Sequence, residues 1–206
     1  MNLYDRFVLP HLIDCVCGIG PVMEQRAALI PRARGKVLEI GAGSGLNFRY
    51  YDASRVDSIH ALDPSEGMNT LARKRAAGIG IPVQTLALGA ETIQADDASF
   101  DTVVSTFTLC TIPDAVSALK EMRRVLRPGG ELLFCEHGSA PDASVRRWQQ
   151  RLTPLWKPLA GGCHLNRDVP AMLRDGGFRL ADMEQRYLPG PKPMMYVYRG
   201  GATAAG

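Results

Sequence analysis

The stretch Val37-Leu38-Glu39-Ile40-Gly41-Ala42-Gly43-Ser44-Gly45-Leu46-Asn47 carries a short apolar run straight into a glycine-rich turn. Such a run reads as a strand buried on both faces, the habit of parallel sheets covered by helices. The glycines allow dihedrals that a side chain forbids and let the backbone approach a ligand. In open parallel sheets, ligands bind outside the carboxyl ends of the strands, where such turns lie. The spacing also discriminates. A GxGxxG dinucleotide fingerprint needs a small residue where Leu46 stands, and a P-loop needs the Gly-Lys-Ser/Thr that is missing here. A pyrophosphate cradle is therefore not expected. Asp63, eighteen residues after Gly45, ends the next apolar run, placed to accept hydrogen bonds from ribose hydroxyls.

Outward from this turn, residues 36–136 alternate short apolar runs with amphipathic stretches, which predicts a doubly wound α/β fold with a mostly parallel sheet and helices on both faces. Strands are expected at 36–40, 58–63, 83–87, 102–106 and 131–136. Ser65 is a helix cap ahead of Met68, Leu71 and Ala72, with Gly78 as a left-handed terminator. Asp114 caps a second helix with Val116, Leu119, Met122 and Val125 on one face, stopped by Arg127-Pro128-Gly129-Gly130. Beyond Glu136 the pattern weakens. A helix is expected at 144–155, with Pro154 and Pro158 breaking the chain, then a loop at Gly161-Gly162 and a short helix near 169–175. Two further strands, 178–183 and 195–198, are joined across Pro189–Pro193, and the small-residue tail from residue 201 is expected to be frayed.

The 206 residues suit a single domain, which we divide into an N-terminal helical lid (1–35), a ligand-binding core (36–136) and an acceptor side (137–200). With 46% apolar and 22% charged residues, the composition is that of a globular domain rather than a disordered or fibrous one. No apolar run approaches the roughly 18–20 residues of a membrane span, and nothing reads as a signal peptide. The cytoplasm is the expected compartment. Five cysteines, odd in number and without CxxC spacing, argue against a disulfide framework and a structural zinc site, so no metal is expected. Residues 140–200 hold ten Lys/Arg against five Asp/Glu. These are spread rather than clustered, so a solvated face is expected and no nucleic-acid partner.

Four ordered motifs give the chain its family resemblance: Glu39–Gly45, Asp63-Pro64-Ser65, Asp97-Ala98-Ser99-Phe100-Asp101 and Leu126-Arg127-Pro128-Gly129-Gly130. Residues 36–136 resemble the class I S-adenosylmethionine-dependent methyltransferases. The resemblance implies a Rossmann-like seven-stranded sheet with the last strand antiparallel, S-adenosylmethionine as cofactor and S-adenosylhomocysteine as product. It implies that Glu39, Gly41, Ala42, Gly43 and Gly45 form the methionine side of the cofactor site. Asp63 and Pro64 would meet the ribose, and Met68, Ala90 and Glu91 the adenine. Thr106, and Tyr4 with Asp5 on an N-terminal segment folding over the cofactor, complete the expected set. Where many relatives carry an aspartate before Ala90, this chain has Gly89.

The acceptor side is similar to the methyltransferase-like thiol methyltransferases in Leu109-Cys110, Glu136-His137, Trp148-Gln149, and Gly162-Cys163 with Leu165, Arg167 and Asp168. This implies a small, soft, lipophilic acceptor. A sulfonium methyl is already activated, so the protein chiefly aligns the nucleophile and excludes water. His137, at a strand end on the cofactor rim, and His164, in the glycine loop, are the candidate catalytic residues. Cys110 and Cys163 read as small buried packers, and Arg167 as a partner of Asp168. The alternatives are N-methylation of a phospholipid head group, which suits the basic C-terminal half and Trp148 and Trp156 with peripheral membrane contact, and a non-catalytic cofactor-binding module.

Overall fold

The computed structural model describes residues 8–205, so the expected contacts of Tyr4 and Asp5 lie outside the described residues. Seven strands form one sheet: β1 (Gly35–Ile40), β2 (Val56–Leu62), β3 (Val83–Leu86), β4 (Phe100–Thr106), β5 (Leu126–His137), β6 (Phe178–Tyr187) and β7 (Tyr196–Ala204). Their order is β3-β2-β1-β4-β5-β7-β6. The pairs from β3 through β5 are parallel, and β7 runs antiparallel to both β5 and β6. The order reverses between β1 and β4, which is where a doubly wound sheet opens a crevice at its carboxyl rim.

Among the described residues, six α-helices cover the sheet: α1 (Leu9–Cys17), α2 (Gly20–Leu29), α3 (Glu66–Ala76), α4 (Ala115–Val125), α5 (Ala143–Leu159) and α6 (Val169–Asp175). Both expected caps form. Ser65 accepts from Met68 N at 3.4 Å and Asp114 from Ser117 N at 3.0 Å. Helix α4 buries Ala115, Ala118, Leu119, Met122 and Val125, the stripe that places it against the sheet.

Four local expectations are corrected. The left-handed residue after α3 is Gly80 (φ +72°), because the turn runs on through Gly78 before it reverses. Helix α5 continues through Pro154 and Pro158 to Leu159. An interior proline costs a helix about 3 kcal/mol, and here tertiary bonds hold the segment. The Gln149 side chain bonds Gly138 O, Pro193 O and Ala140 N, and Thr153 Oγ1 accepts from Leu165 N. The tail is no loose end up to Ala204, since β7 carries it between β5 and β6. There Gly200 is required, as a Cβ would collide with the Asp182 backbone carbonyl, while one on Gly201 would displace the Glu131 and Arg32 side-chain ends. Arg167 and Asp168 do not pair. Asp168 caps α6 through Ala171 N, and Arg167 donates to Leu109 O.

Candidate functional site

A cavity of about 410 Å³ opens at the switch point, within the usual range for small-molecule sites. One wall is the turn after β1. Gly41, Gly43 and Gly45 all hold positive φ (60°, 57° and 81°), yet their roles differ. A Cβ on Gly41 would collide with the Thr108 side chain and one on Gly45 with the Phe48 ring, whereas at Gly43 it would crowd nothing. Gly43 is thus the open floor of the site, and Gly45 supports it from outside the lining. Ala42, Asp63, Pro64, Met68, Gly89, Ala90, Glu91 and Thr106 all line the cavity.

Asp63 fits a ribose. Its Oδ2 accepts from Gly43 N and its Oδ1 from Ser65 N, each at 2.9 Å, which leaves each carboxylate oxygen acceptor capacity toward the cavity. Burial pushes its carboxyl above the usual range, opposed by those two backbone bonds.

Glu39 does not line the cavity, a correction to the expected set. It is buried behind the turn, where Oε1 accepts from Asn47 Nδ2 at 2.9 Å and Oε2 from the Tyr51 hydroxyl at 2.7 Å. Burial raises its carboxyl to about 7, against the downward pull of those bonds and of the Arg26 charge. Glu39 therefore holds the turn rather than the ligand.

Arg26, on α2, escaped the sequence reading because no motif surrounds it. It lines the cavity although only 5% exposed. Its Nη1 donates to Asn47 Oδ1 (2.8 Å) and Thr106 Oγ1 (2.6 Å), its guanidinium lies 5.3 Å from the Phe107 ring centre, and its Nε is buried with no partner. A fixed guanidinium with an unsatisfied buried donor fits an anionic group such as the carboxylate of a methionine moiety. Asp14 escaped for the same reason. It accepts from Ser44 Oγ and is paired with Arg75 at 2.8 Å, which fastens α1 over the turn. From α1, Leu9, Pro10, Ile13, Asp14 and Cys17 roof the cavity.

The opposite wall follows β4. Phe107 holds φ +55°, a costly conformation for an aromatic residue. Buried Glu136 fixes this turn, accepting from Ser105 Oγ (2.7 Å), Thr108 N (2.8 Å) and Leu109 N (3.1 Å). Cys110 follows directly.

His137 and His164 stand one layer behind this wall and are not part of the lining. His164 Nδ1 lies 3.0 Å from Cys110 O. His137 Nε2 lies 3.1 Å from Cys163 Sγ, which also accepts from Trp156 Nε1 at 3.4 Å. The Cys110 thiol and the His137 ring pull the Cys163 thiol down against the effect of burial. For His137, burial is outweighed by Cys163, and the ring is raised. The donor atoms of Cys110, His137 and Cys163 all lie within 4.8 Å of one another. The sequence reading, which expected packers and no metal ligands, missed this cluster because its members come from three distant segments: the turn after β4, the end of β5 and the loop after α5.

The comparisons with known proteins agree with this geometry. Residues 38–134 match the methyltransferase domain family model. Human thiol S-methyltransferase TMT1B is 35% identical over 171 residues, 80% of this chain and 68% of that protein. The phosphatidylethanolamine N-methyltransferase of Cereibacter sphaeroides is 35% identical over 126 residues, 59% of this chain and 61% of that protein. Among solved structures, a SAM-dependent methyltransferase of Leishmania major superposes with a TM-score of 0.71 at 18% identity, covering 97% of this chain and 80% of that one. The chain belongs to the class I S-adenosylmethionine-dependent methyltransferases. Within that class it is similar to the thiol S-methyltransferases, and it spans between 42% and 68% of the length of the first curated relatives it matches.

Proposed function

We propose that the protein methylates a small lipophilic thiol. The observation that carries this reading is the two-walled cavity, in which Gly43, Asp63 and Arg26 face an apolar wall built from Leu9, Ile13, Phe107 and Ile112. Bound S-adenosylmethionine supplies an activated methyl on its sulfonium. Asp63 holds the ribose hydroxyls, Arg26 the carboxylate, and Met68 and Ala90 border the adenine. Helix α1, a lid pinned by Asp14, excludes water, and the apolar wall aligns the acceptor sulfur in line with the methyl. His137 and His164 act from behind the wall, through Cys163 and Cys110. The acceptor would enter as thiolate, its proton left to solvent before α1 closes, and would form a carbon–sulfur bond as the methyl–sulfonium bond breaks, giving a thioether and S-adenosylhomocysteine. The similarity to TMT1B supports the acceptor class. All five cysteines are free, which suits a reducing compartment, the cytoplasm in the first instance.

A lipid reading has one observation of its own. Val8, Leu12 and Val16 on the α1 segment and Trp148, Leu155 and Leu159 on α5 are exposed, with Arg147, Arg151 and Lys157 interspersed. No helix among the described residues is long and apolar enough to cross a membrane, so this patch would serve peripheral contact at the surface. An acceptor panel decides between the two. Turnover of alkyl thiols, with none on phosphatidylethanolamine vesicles, is the expected result. Methylated head groups with no thioether formed would overturn it.

A further inference from the structure

We propose that Cys110, His137 and Cys163 form a site for one divalent ion of the zinc type, with a coordination position left over for the acceptor thiol. The second half of this proposal rests on the thiol reading above, while the first does not. Two thiols and an imidazole are the ligand chemistry zinc prefers, and three protein ligands with one open position are the arrangement of catalytic rather than structural zinc. A tetrahedral ion with ordinary zinc–sulfur and zinc–nitrogen bonds places its donors ~3.5–3.8 Å apart. Here the three donor atoms lie within 4.8 Å of one another, with the shortest described separation, His137 Nε2 to Cys163 Sγ, at 3.1 Å. The site needs adjustments of up to about 1 Å in the donor separations, within the reach of side-chain torsions.

The surroundings are those of a ligand set. Trp156 Nε1 donates to Cys163 Sγ, the outer contact that steadies a metal-bound thiolate. Backbone and side chain of His164 both meet Cys110 O, and Arg167 donates to Leu109 O, so the Cys110 loop is held from two sides. Glu136 clamps the same turn through Thr108 N and Leu109 N. The His137 Nδ1 atom is buried without a partner, and Nε2 is the ring nitrogen turned to the cluster. The cluster lies one layer behind the cavity wall, its three donor residues outside the lining. An acceptor thiol would reach the ion past Phe107, three residues before Cys110, and Gly161, two before Cys163, which both line the cavity.

A thiol entering the open position would bind as thiolate, its proton passing to solvent. Its sulfur would keep a lone pair for the methyl, and the thioether product, a far weaker ligand, would leave. No oxidation state changes.

The test uses the whole reduced chain, stripped with a chelator and reloaded with Zn²⁺ or Co²⁺. We expect one equivalent of zinc by elemental mass spectrometry. The Co²⁺ form should show thiolate-to-metal charge transfer in the near ultraviolet and the visible bands of four-coordinate cobalt. Cys110→Ser and Cys163→Ser should each weaken binding at least a hundredfold, while Cys15→Ser, at an exposed position, should not. Should the serine variants fail to fold, the wild type still decides: Zn²⁺ must protect Cys110 and Cys163, and not Cys15, from alkylation mapped by peptide mass. No retained ion, a cobalt spectrum without thiolate bands, or binding that survives loss of both cysteines overturns the site. An alkyl thiol should shift the charge-transfer band, and an unchanged spectrum overturns the open position. Zinc bound as described with no thiol methylated would overturn the acceptor reading and leave the metal site standing.

Discussion

The two walls of the cavity are built on different principles. The cofactor wall is contiguous in sequence: Gly41 to Ser44 follow one strand, Asp63 to Met68 the next, and backbone amides fix the key carboxylate. The acceptor wall and the cluster behind it are assembled from distant segments, with Cys110, His137 and Cys163 meeting across 53 residues and α1 closing over them. A contiguous wall suits a constant ligand, because strand geometry alone sets it. An assembled wall can change its occupant by altering one loop, without disturbing the cofactor.

If the walls are separable, a change behind the acceptor wall should cost turnover and spare cofactor affinity. His137→Ala removes the contact to Cys163 Sγ and loosens the layer that supports the acceptor. Misplacement of this kind costs about a hundredfold in rate. We expect that loss in kcat with alkyl thiols and a dissociation constant for S-adenosylhomocysteine within about twofold of wild type. Calorimetry beside steady-state kinetics checks both, and equal losses in the two would show that the walls are one unit.

The converse change lies on the cofactor wall. Asp63→Ala removes hydrogen bonds to a charged group, worth roughly 1.5–3 kcal/mol, or about ten- to a hundredfold in affinity. The loss should appear alike for S-adenosylmethionine, S-adenosylhomocysteine and 5′-methylthioadenosine, since all carry the ribose. An unchanged affinity for any of them would take Asp63 out of ribose recognition.

Arg26 sharpens the comparison, because it belongs to the cofactor wall yet comes from α2, outside every motif. Arg26→Lys keeps the charge and loses the planar fork. Affinity for S-adenosylhomocysteine should fall about tenfold, in line with one charge-assisted bond, with that for 5′-methylthioadenosine unmoved, since that molecule lacks the amino-acid carboxylate. A parallel fall for both would make Arg26 a support for Asn47 and Thr106 only.

This contrast also explains what could be read from the sequence. The places of the core strands and of Asp63 follow from apolar periodicity and glycine spacing, which are local signals; the order of the strands in the sheet does not. Glu39 was misplaced for a related reason: its spacing to Gly41 is that of a ligand residue, but a side chain on a buried strand points to one face only, and here that face meets Asn47 and Tyr51. Helix α5 defeated the proline rule because Gln149 and Thr153 tie it to partners far along the chain. Arg26 and Asp14 left no trace that spacing could reveal, and Cys110, His137 and Cys163, each legible in its own motif, gave no sign that they meet.

The last test concerns Glu39, on stability rather than on rate or affinity, and it asks whether the contiguous wall carries a titration of its own. Burial raises the folded carboxyl to about 7 from an ordinary value of 4.5. Between these values the folded chain holds a proton that the unfolded chain has released, so this group's stabilising contribution is complete below about 4.5 and is lost as pH rises toward 7. Glu39→Gln removes that loss while keeping the shape that meets Asn47 and Tyr51. The melting temperature of the variant relative to wild type should therefore rise between pH 5 and pH 7.5, by about 2–4 °C for each kcal/mol that the titration withdraws from wild type. Other buried carboxyls, Glu136 and Asp63 among them, are shifted the same way. They act equally in both proteins, so the difference between the two melting curves isolates Glu39. A constant offset across this window would mean that Glu39 is ionised in the fold throughout, held by Arg26, Asn47 and Tyr51, and that the turn after β1 rests on a charged network.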